Sequence, residues 1–492
     1  MRAFTIANRM PLRLAVILAM LWAVLMIGLF PGASPGLAAS LLAAQDKPDK
    51  ATIALSRILN DLSGQRAEVI AIQRELVSRP ALNPEDGGEG EDAKARWIED
   101  WLVKKGLPHA LRIDAPDERV PAKVRPNLII RYPGASERTL WLVGHLDTSP
   151  PGALNLWTGS PWALRTEGDT VYGRGVEDNH QAITSGLVLL DSLARNRVAP
   201  PLSFGLVLTS CEKHHYLRKY GIDAVLQARP ELFKPGDLIV VNDYGNAKGS
   251  IVEVAEKGSL WLRITVTGRQ SHAALTHQGI NALDAGANLI VDLRTLHGRF
   301  PREDALFTPP VSTFAVTKPE SLTASVNQIP GEFIFHLDCR LLPPYTPELV
   351  MTAVRELADA AEKRDAVRIQ IEQVQSIPAV PGTAPDAPVV KALRRAVRAQ
   401  LGVESFPMGM GGVTLAAELR ARGLPVVVWA KADSKGQEAN ESISITALQD
   451  TAKVFARMLF DSETGASAAN TAKAMPEQNS TAPKTAPGTE AR

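Results

Sequence analysis

Cysteine is nearly absent from this chain: Cys211 and Cys339 are its only two thiols in 492 residues. They fall in segments that read as different domains, so no disulfide framework is written here and the redox compartment has to come from elsewhere. Net charge is nearly absent as well, with 54 basic against 53 acidic residues. That balance leaves no field to concentrate nucleic acid or an anionic membrane surface. Glycine and proline are spread along the chain rather than gathered into repeats. What is present is length and apolar content: 492 residues at 45% hydrophobic suffice for two folded domains.

The two ends differ from the middle. Arg2, Arg9 and Arg13 precede an uncharged apolar run over 14–30, followed by small residues over 31–39. This is the layout of a secretory signal, with an uncleaved anchor as the alternative because about 17–25 apolar residues can span a bilayer. Either way a periplasmic or secreted address is expected for the folded body. Over 461–492 the composition turns to Ala, Ser, Thr, Pro, Lys and Glu, which cannot offset the entropy of ordering and predicts a disordered tail.

Between the ends, amphipathic periodicity predicts helices over 51–77 and 91–105, and short apolar runs predict strands at 127–131, 139–143, 204–209 and 237–241. A helix pattern follows Asn179. Strands separated by helices indicate a parallel-rich sheet covered on both faces, an α/β architecture. From 259 to 375 the pattern changes to alternating strands (260–266, 332–338) bracketing helices at 279–296 and 346–363. That reads as a smaller α+β insert. Helices over 386–401 and 413–422 and a strand over 425–429 then complete the large domain, giving parts at 51–258 and 376–460 around the insert.

In α/β sheets the reactive groups collect at the carboxyl ends of strands. After the first such strand stands Gly144-His145-Leu146-Asp147, a spacing that lets Asp147 orient the His145 ring. Further along come Asp178, then Glu212-Lys213-His214-His215, then Asn242-Asp243. One imidazole with several carboxylates suits zinc, with cobalt or manganese as substitutes. Singly these are weak signals; Asp178, for instance, could simply cap the following helix.

Their order carries more. Gly144-His145-Leu146-Asp147-Thr148-Ser149-Pro150, Tyr172-Gly173-Arg174-Gly175-Val176-Glu177-Asp178, Glu256-Lys257-Gly258, Ser271-His272-Ala273, Asn327-Gln328-Ile329-Pro330-Gly331, Asp338-Cys339-Arg340 and Asn440-Glu441 follow one another. Over about residues 55–460 the chain resembles the peptidase M20 family, which includes succinyl-diaminopimelate desuccinylase, acetylornithine deacetylase and several carboxypeptidases and dipeptidases. The resemblance implies a three-layer zinc-hydrolase domain interrupted by a lid that dimerises. It implies His145, Asp178 and Asp243 as ligands of one metal, Glu212 as general base and Asp147 as the partner of His145. His272 corresponds to a lid histidine that reaches the partner's site and stabilises the oxyanion. Asn327, Arg340 and Thr414 match substrate-contacting positions, with a structural role for Arg340 as its alternative.

The chain also departs from that pattern. Where the family has a second acidic residue after Glu212, this sequence has Lys213, and where it has a histidine before the Asn-Glu pair, this sequence has Gln437. Both private ligands of a second metal are thereby gone. A lysine cannot ligate while protonated, but it places positive charge where the second ion would stand. His214 or His215 swinging in is the alternative. The expectation is a single-zinc hydrolase, dimeric through its lid, that cleaves the amide bond of a peptide or N-acyl amino acid. A non-catalytic binding protein on the same fold is the rival reading.

Overall fold

Apolar runs without alternation belong to strands covered on both faces. The computed structural model, which describes residues 49–461 apart from 322, 324 and 434, gathers them into one eight-stranded sheet. The expected export segment over 1–39 and the expected tail beyond 461 lie outside the described residues. Leu202–Thr209, Ser136–His145, Leu238–Gly245 and Val426–Ala430 run parallel, side by side, at the centre. Leu111–Pro116 and Val124–Tyr132 close one edge antiparallel. On the other, Ile251–Glu256 turns antiparallel to Val426–Ala430 and pairs in parallel with Phe406–Met410.

Side chains alternate across a strand, so each central strand feeds two cores. Leu140, Leu142, Leu206, Leu208, Val240 and Val427 join the helices Arg66–Val77, His180–Arg195, Pro388–Leu401 and Ile445–Leu459 on one face. Trp141, Val143, Val207, Ile239, Val241 and Val428 pack against Ile222–Ala228 and Leu415–Ala421 on the other. The result is three layers. The single helix expected over 51–77 is in fact two, Lys50–Gly64 and Arg66–Val77. Gly64 is the poorest helix former of that stretch, and the Gln65 side chain donates back to Asp61 Oδ2 at 2.9 Å.

A second, antiparallel sheet has the order Thr313–Ser321, Glu332–Leu341, Gly258–Thr267, Arg368–Ile377. Leu260, Leu262, Ile264 and Val266 alternate inward with Phe333, Phe335, Leu337 and Cys339, against the helices Ala282–Leu293 and Pro347–Asp365. The helix expected over 279–296 starts at Ala282, where the Asn281 side chain accepts from Leu283 N and Asp284 N. Trp261 alternates outward, opposite Asp338 and Gln375. Chain entry and exit of this domain lie side by side: a Cβ on Gly258 would sit 2.8 Å from Ala379 N.

Buried charge fastens the edge of the large sheet. Arg420, 1% exposed, donates to Glu253 Oε1 at 3.1 Å and Oε2 at 2.9 Å and to Val426 O at 3.0 Å. Removing one partner of such a pair strands the other charge without compensation. Arg420→Met is therefore expected to destabilise the protein by about 3–5 kcal/mol, read as a lower midpoint in chemical denaturation.

Candidate metal centre

The four central parallel strands end at one edge of the sheet, and each delivers part of the site. Ser136–His145 ends on His145, Leu238–Gly245 carries Asp243, and Leu202–Thr209 leads into Glu212 and Lys213. Val426–Ala430 leads into the loop that bears Gln437. Asp178 arrives from the turn before the helix His180–Arg195. His145, Asp178 and Asp243 each offer one ligand atom, all within 4.8 Å of one another; among the described residues they form the one such group.

Both His145 nitrogens face acceptors. Nδ1 lies 2.9 Å from the Asp147 carbonyl and 3.2 Å from its carboxylate, while Nε2 lies 3.2 Å from Asp178 Oδ1 and 3.6 Å from Glu212 Oε2. A proton held at Nδ1 leaves Nε2 as the ligand atom. Burial and the Lys213 charge press the ring toward neutrality, but the carboxylates of Glu212, Asp147 and Asp178 outweigh them and lift it to about 10.

The role expected for Asp147 needs refinement. Its carbonyl is the nearer partner of the ring, whereas its carboxylate accepts from Glu212 N at 3.1 Å, Lys213 N at 2.9 Å and Asn83 Nδ2 at 3.3 Å. Asp147 thus clamps the Glu212–Lys213 segment to the His145 segment. Burial acts to raise its carboxyl, and the His145 ring and Lys213 overcome that and hold it well below the usual range.

Lys213 and Gln437 converge on one carboxylate. Lys213 Nζ stands 2.6 Å from Asp178 Oδ1 and 2.9 Å from Glu212 Oε2, and Gln437 Nε2 donates to Asp178 Oδ2 at 3.2 Å. Asp178 is held low against its burial by Lys213 and His145. Asp243 fares differently: burial, with Asp178 and Glu212 nearby, lifts it to about 6 despite Lys213. Its side chain accepts from Asn179 Nδ2 at 3.2 Å. The nitrogen and oxygen donor set, together with an Asp243 short of positive charge, fits a divalent transition ion.

Other expected residues fall elsewhere. His214 does not turn to the ligand group; its Nε2 pairs with Asp86 Oδ2 at 2.9 Å. Thr414 lines the cavity beside the site, yet its hydroxyl is 2.6 Å from Glu256 Oε1 and accepts from Ala416 N as a helix cap. The hydroxyl thus ties Glu256 to the start of the helix Leu415–Ala421 while Thr414 stays on the cavity wall. His272, in the short ladder Ser271–His272 with Gln328–Ile329, and the neighbouring Asn327 are both exposed, lie 3.3 Å apart, and do not line their own chain's cavity. Arg340 does line it.

Several contributors were not singled out from sequence. Glu441 is buried against Arg174 and accepts from the backbone N–H groups of Gly175, Glu177 and Asp178, which fixes the approach to Asp178. Lys94, wholly buried, donates to Leu146 O at 2.9 Å and meets His180 Nε2 at 2.8 Å. Burial brings its ammonium down to about 7. Its signal was a lysine on the apolar face of an amphipathic helix, Asp92–Lys104. Asn179 accepts from His145 N and donates to Asn242 O, tying two strand ends to the start of the helix His180–Arg195.

The cavity has a volume of about 730 Å³ and extends from Asp178, Glu212, Lys213 and Asp243 to Trp261, Arg340 and Gln375 of the smaller domain. A model of the M20 peptidase dimerisation domain matches residues 254–366. An uncharacterized metallohydrolase of Methanocaldococcus jannaschii is 31% identical over 406 residues, covering 80% of this chain and 98% of the relative. Succinyl-diaminopimelate desuccinylase of Bordetella petrii is 25% identical over 397 residues, with 80% and 97% covered. Among solved structures, human carnosine dipeptidase 1 superposes with a TM-score of 0.68 at 17% identity, covering 82% of this chain and 98% of that one.

Partners that orient a ligating histidine are worth about 10–100-fold in metal affinity. Asp147→Asn, which keeps the shape and removes the charge, is expected to weaken zinc binding by about that factor in a competition titration against a chelator. Unchanged affinity would leave the orientation of His145 to the Asp147 carbonyl alone.

Proposed function

This chain belongs to the peptidase M20 family of metallohydrolases, and on that footing we propose that it cleaves an amide bond of a peptide or N-acyl amino acid with one metal ion per chain. The observation that carries this reading is the Lys213 ammonium, seated on Asp178 at 2.6 Å and on Glu212 at 2.9 Å. It contacts Asp178 through Oδ1 and Gln437 holds Oδ2, so both oxygens of that carboxylate already have nitrogen partners, while His145, Asp178 and Asp243 remain grouped for one ion. Zinc is the ion that this donor set favours. When bound, it supplies Lewis acidity toward water and the scissile carbonyl.

The residues supply the rest. The Glu212 carboxylate takes a proton from the attacking water and returns it to the leaving amine. Lys213 holds Asp178 and Glu212 apart as charges and stands ready to share the developing oxyanion. His272, remote from its own chain's cavity, reaches the site of a second copy in a dimer built on the 254–366 segment. Arg340 receives a substrate carboxylate. The arginines and apolar run of residues 1–39 support an address outside the cytoplasm.

Elemental mass spectrometry on protein purified without chelator should find about one ion per chain. A Lys213→Glu, Gln437→His variant should rise toward two. Two ions in the unmodified protein would overturn the single-ion reading. Glu212→Gln should lower turnover by about 10²–10⁴-fold with metal content unchanged, and loss of metal in that variant would remove Glu212 from the role of base.

A further inference from the structure

Part of the cavity wall is apolar. Ile251, Trp261, Met408, Met410 and Val413 line it together with Arg340. Arg340 is placed among them: its guanidinium carbon lies 5.7 Å from the Trp261 ring centroid, and Nη1 donates to Gly411 O, next to Met410, at 3.2 Å. Nε and Nη2 donate to the two oxygens of Asp338 at 2.7 and 2.9 Å. Three of its N–H groups are thus spent. A guanidinium carries five, so two remain for a ligand, enough for one carboxylate.

The other cation on the cavity wall, Lys213, already neutralises two carboxylates, Asp178 and Glu212, beside the metal ligands. The remaining charged lining groups, Glu177, Asp178, Glu212 and Asp243, are acids. A second carboxylate on the substrate would therefore face acids and a cation already shared between two carboxylates. A side chain next to the anchored carboxylate would instead meet the indole, two thioethers and aliphatic carbon. Thioethers are polarizable and adapt to apolar groups of differing shape.

We infer that the substrate residue whose carboxylate meets Arg340 carries an apolar side chain, and that substrates with a second carboxylate are rejected. This inference rests on the hydrolase reading and deepens it. Met408 and Met410 are then specificity-determining residues, acting through contact with that side chain.

The test uses the full zinc-loaded chain and N-acetyl-L-leucine, N-acetyl-L-methionine, N-acetyl-L-aspartate, N-acetyl-L-glutamate and N-succinyl-L,L-diaminopimelate, with the matching alanyl dipeptides. The leucine and methionine compounds should exceed the acidic ones by about 10–100-fold in kcat/KM, the range that burial of such a side chain supplies. Met408→Lys should narrow that ratio. Equal or faster turnover of the acidic compounds overturns the inference and leaves the hydrolase reading standing. Were nothing hydrolysed, the hydrolase reading would fall, and calorimetric binding of free L-leucine against L-glutamate would still decide. Tighter leucine supports the inference; equal, tighter glutamate or no binding by either overturns it.

Discussion

Carboxylates gathered in a buried place repel one another and lose solvation, and the catalytic edge of this protein is arranged around the positive charge needed to hold them there. Arg125 covers Glu91, Arg174 covers Glu441, Arg420 covers Glu253, and Lys213 covers Asp178 and Glu212. Backbone N–H groups supply what the cations do not, as Asp147 and Glu441 show. Within the group His145, Asp178 and Asp243, burial and the neighbouring Asp178 and Glu212 charges leave Asp243 raised while Asp178 is held low.

The same demand fits the proposed exchange of an acidic ligand for Lys213. A divalent ion held by an extra carboxylate contributes a net single positive charge, and an ammonium contributes the same. The Lys213 contact with Asp178, reinforced by Gln437 on the other oxygen, keeps that carboxylate in place through a hydrogen bond instead of a coordinate bond. On the proposed single-ion reading, loss of the ligand and gain of the charge compensate each other in one side chain.

Much of this was legible in the sequence because strand ends are local. The apolar runs around 139–143, 204–209 and 237–241 mark where the chain emerges from the sheet, and the polar residues just beyond them are the site residues His145, Glu212 and Asp243. What sequence could not supply was tertiary. Nothing adjacent to Lys94 announces His180 across 86 positions, and nothing adjacent to Thr414 announces Glu256, which takes its hydroxyl. His214 looked available for the metal until the fold set Asp86 against it. The break at Gln65 was missed because the apolar period continues through it while Gly64 weakens the backbone beneath.

The smaller domain leaves the large sheet after Glu256 and returns by Ala379 with entry and exit in van der Waals contact at Gly258. Topologically it is a cassette. A connection of a few residues would seal the large domain without it, and a foreign domain with neighbouring termini could be spliced into the same opening. The cassette nevertheless brings Trp261, Arg340 and Gln375 to the cavity wall. Exchanging it would therefore rewrite which molecules are admitted while leaving the strand ends that hold the metal ligands untouched.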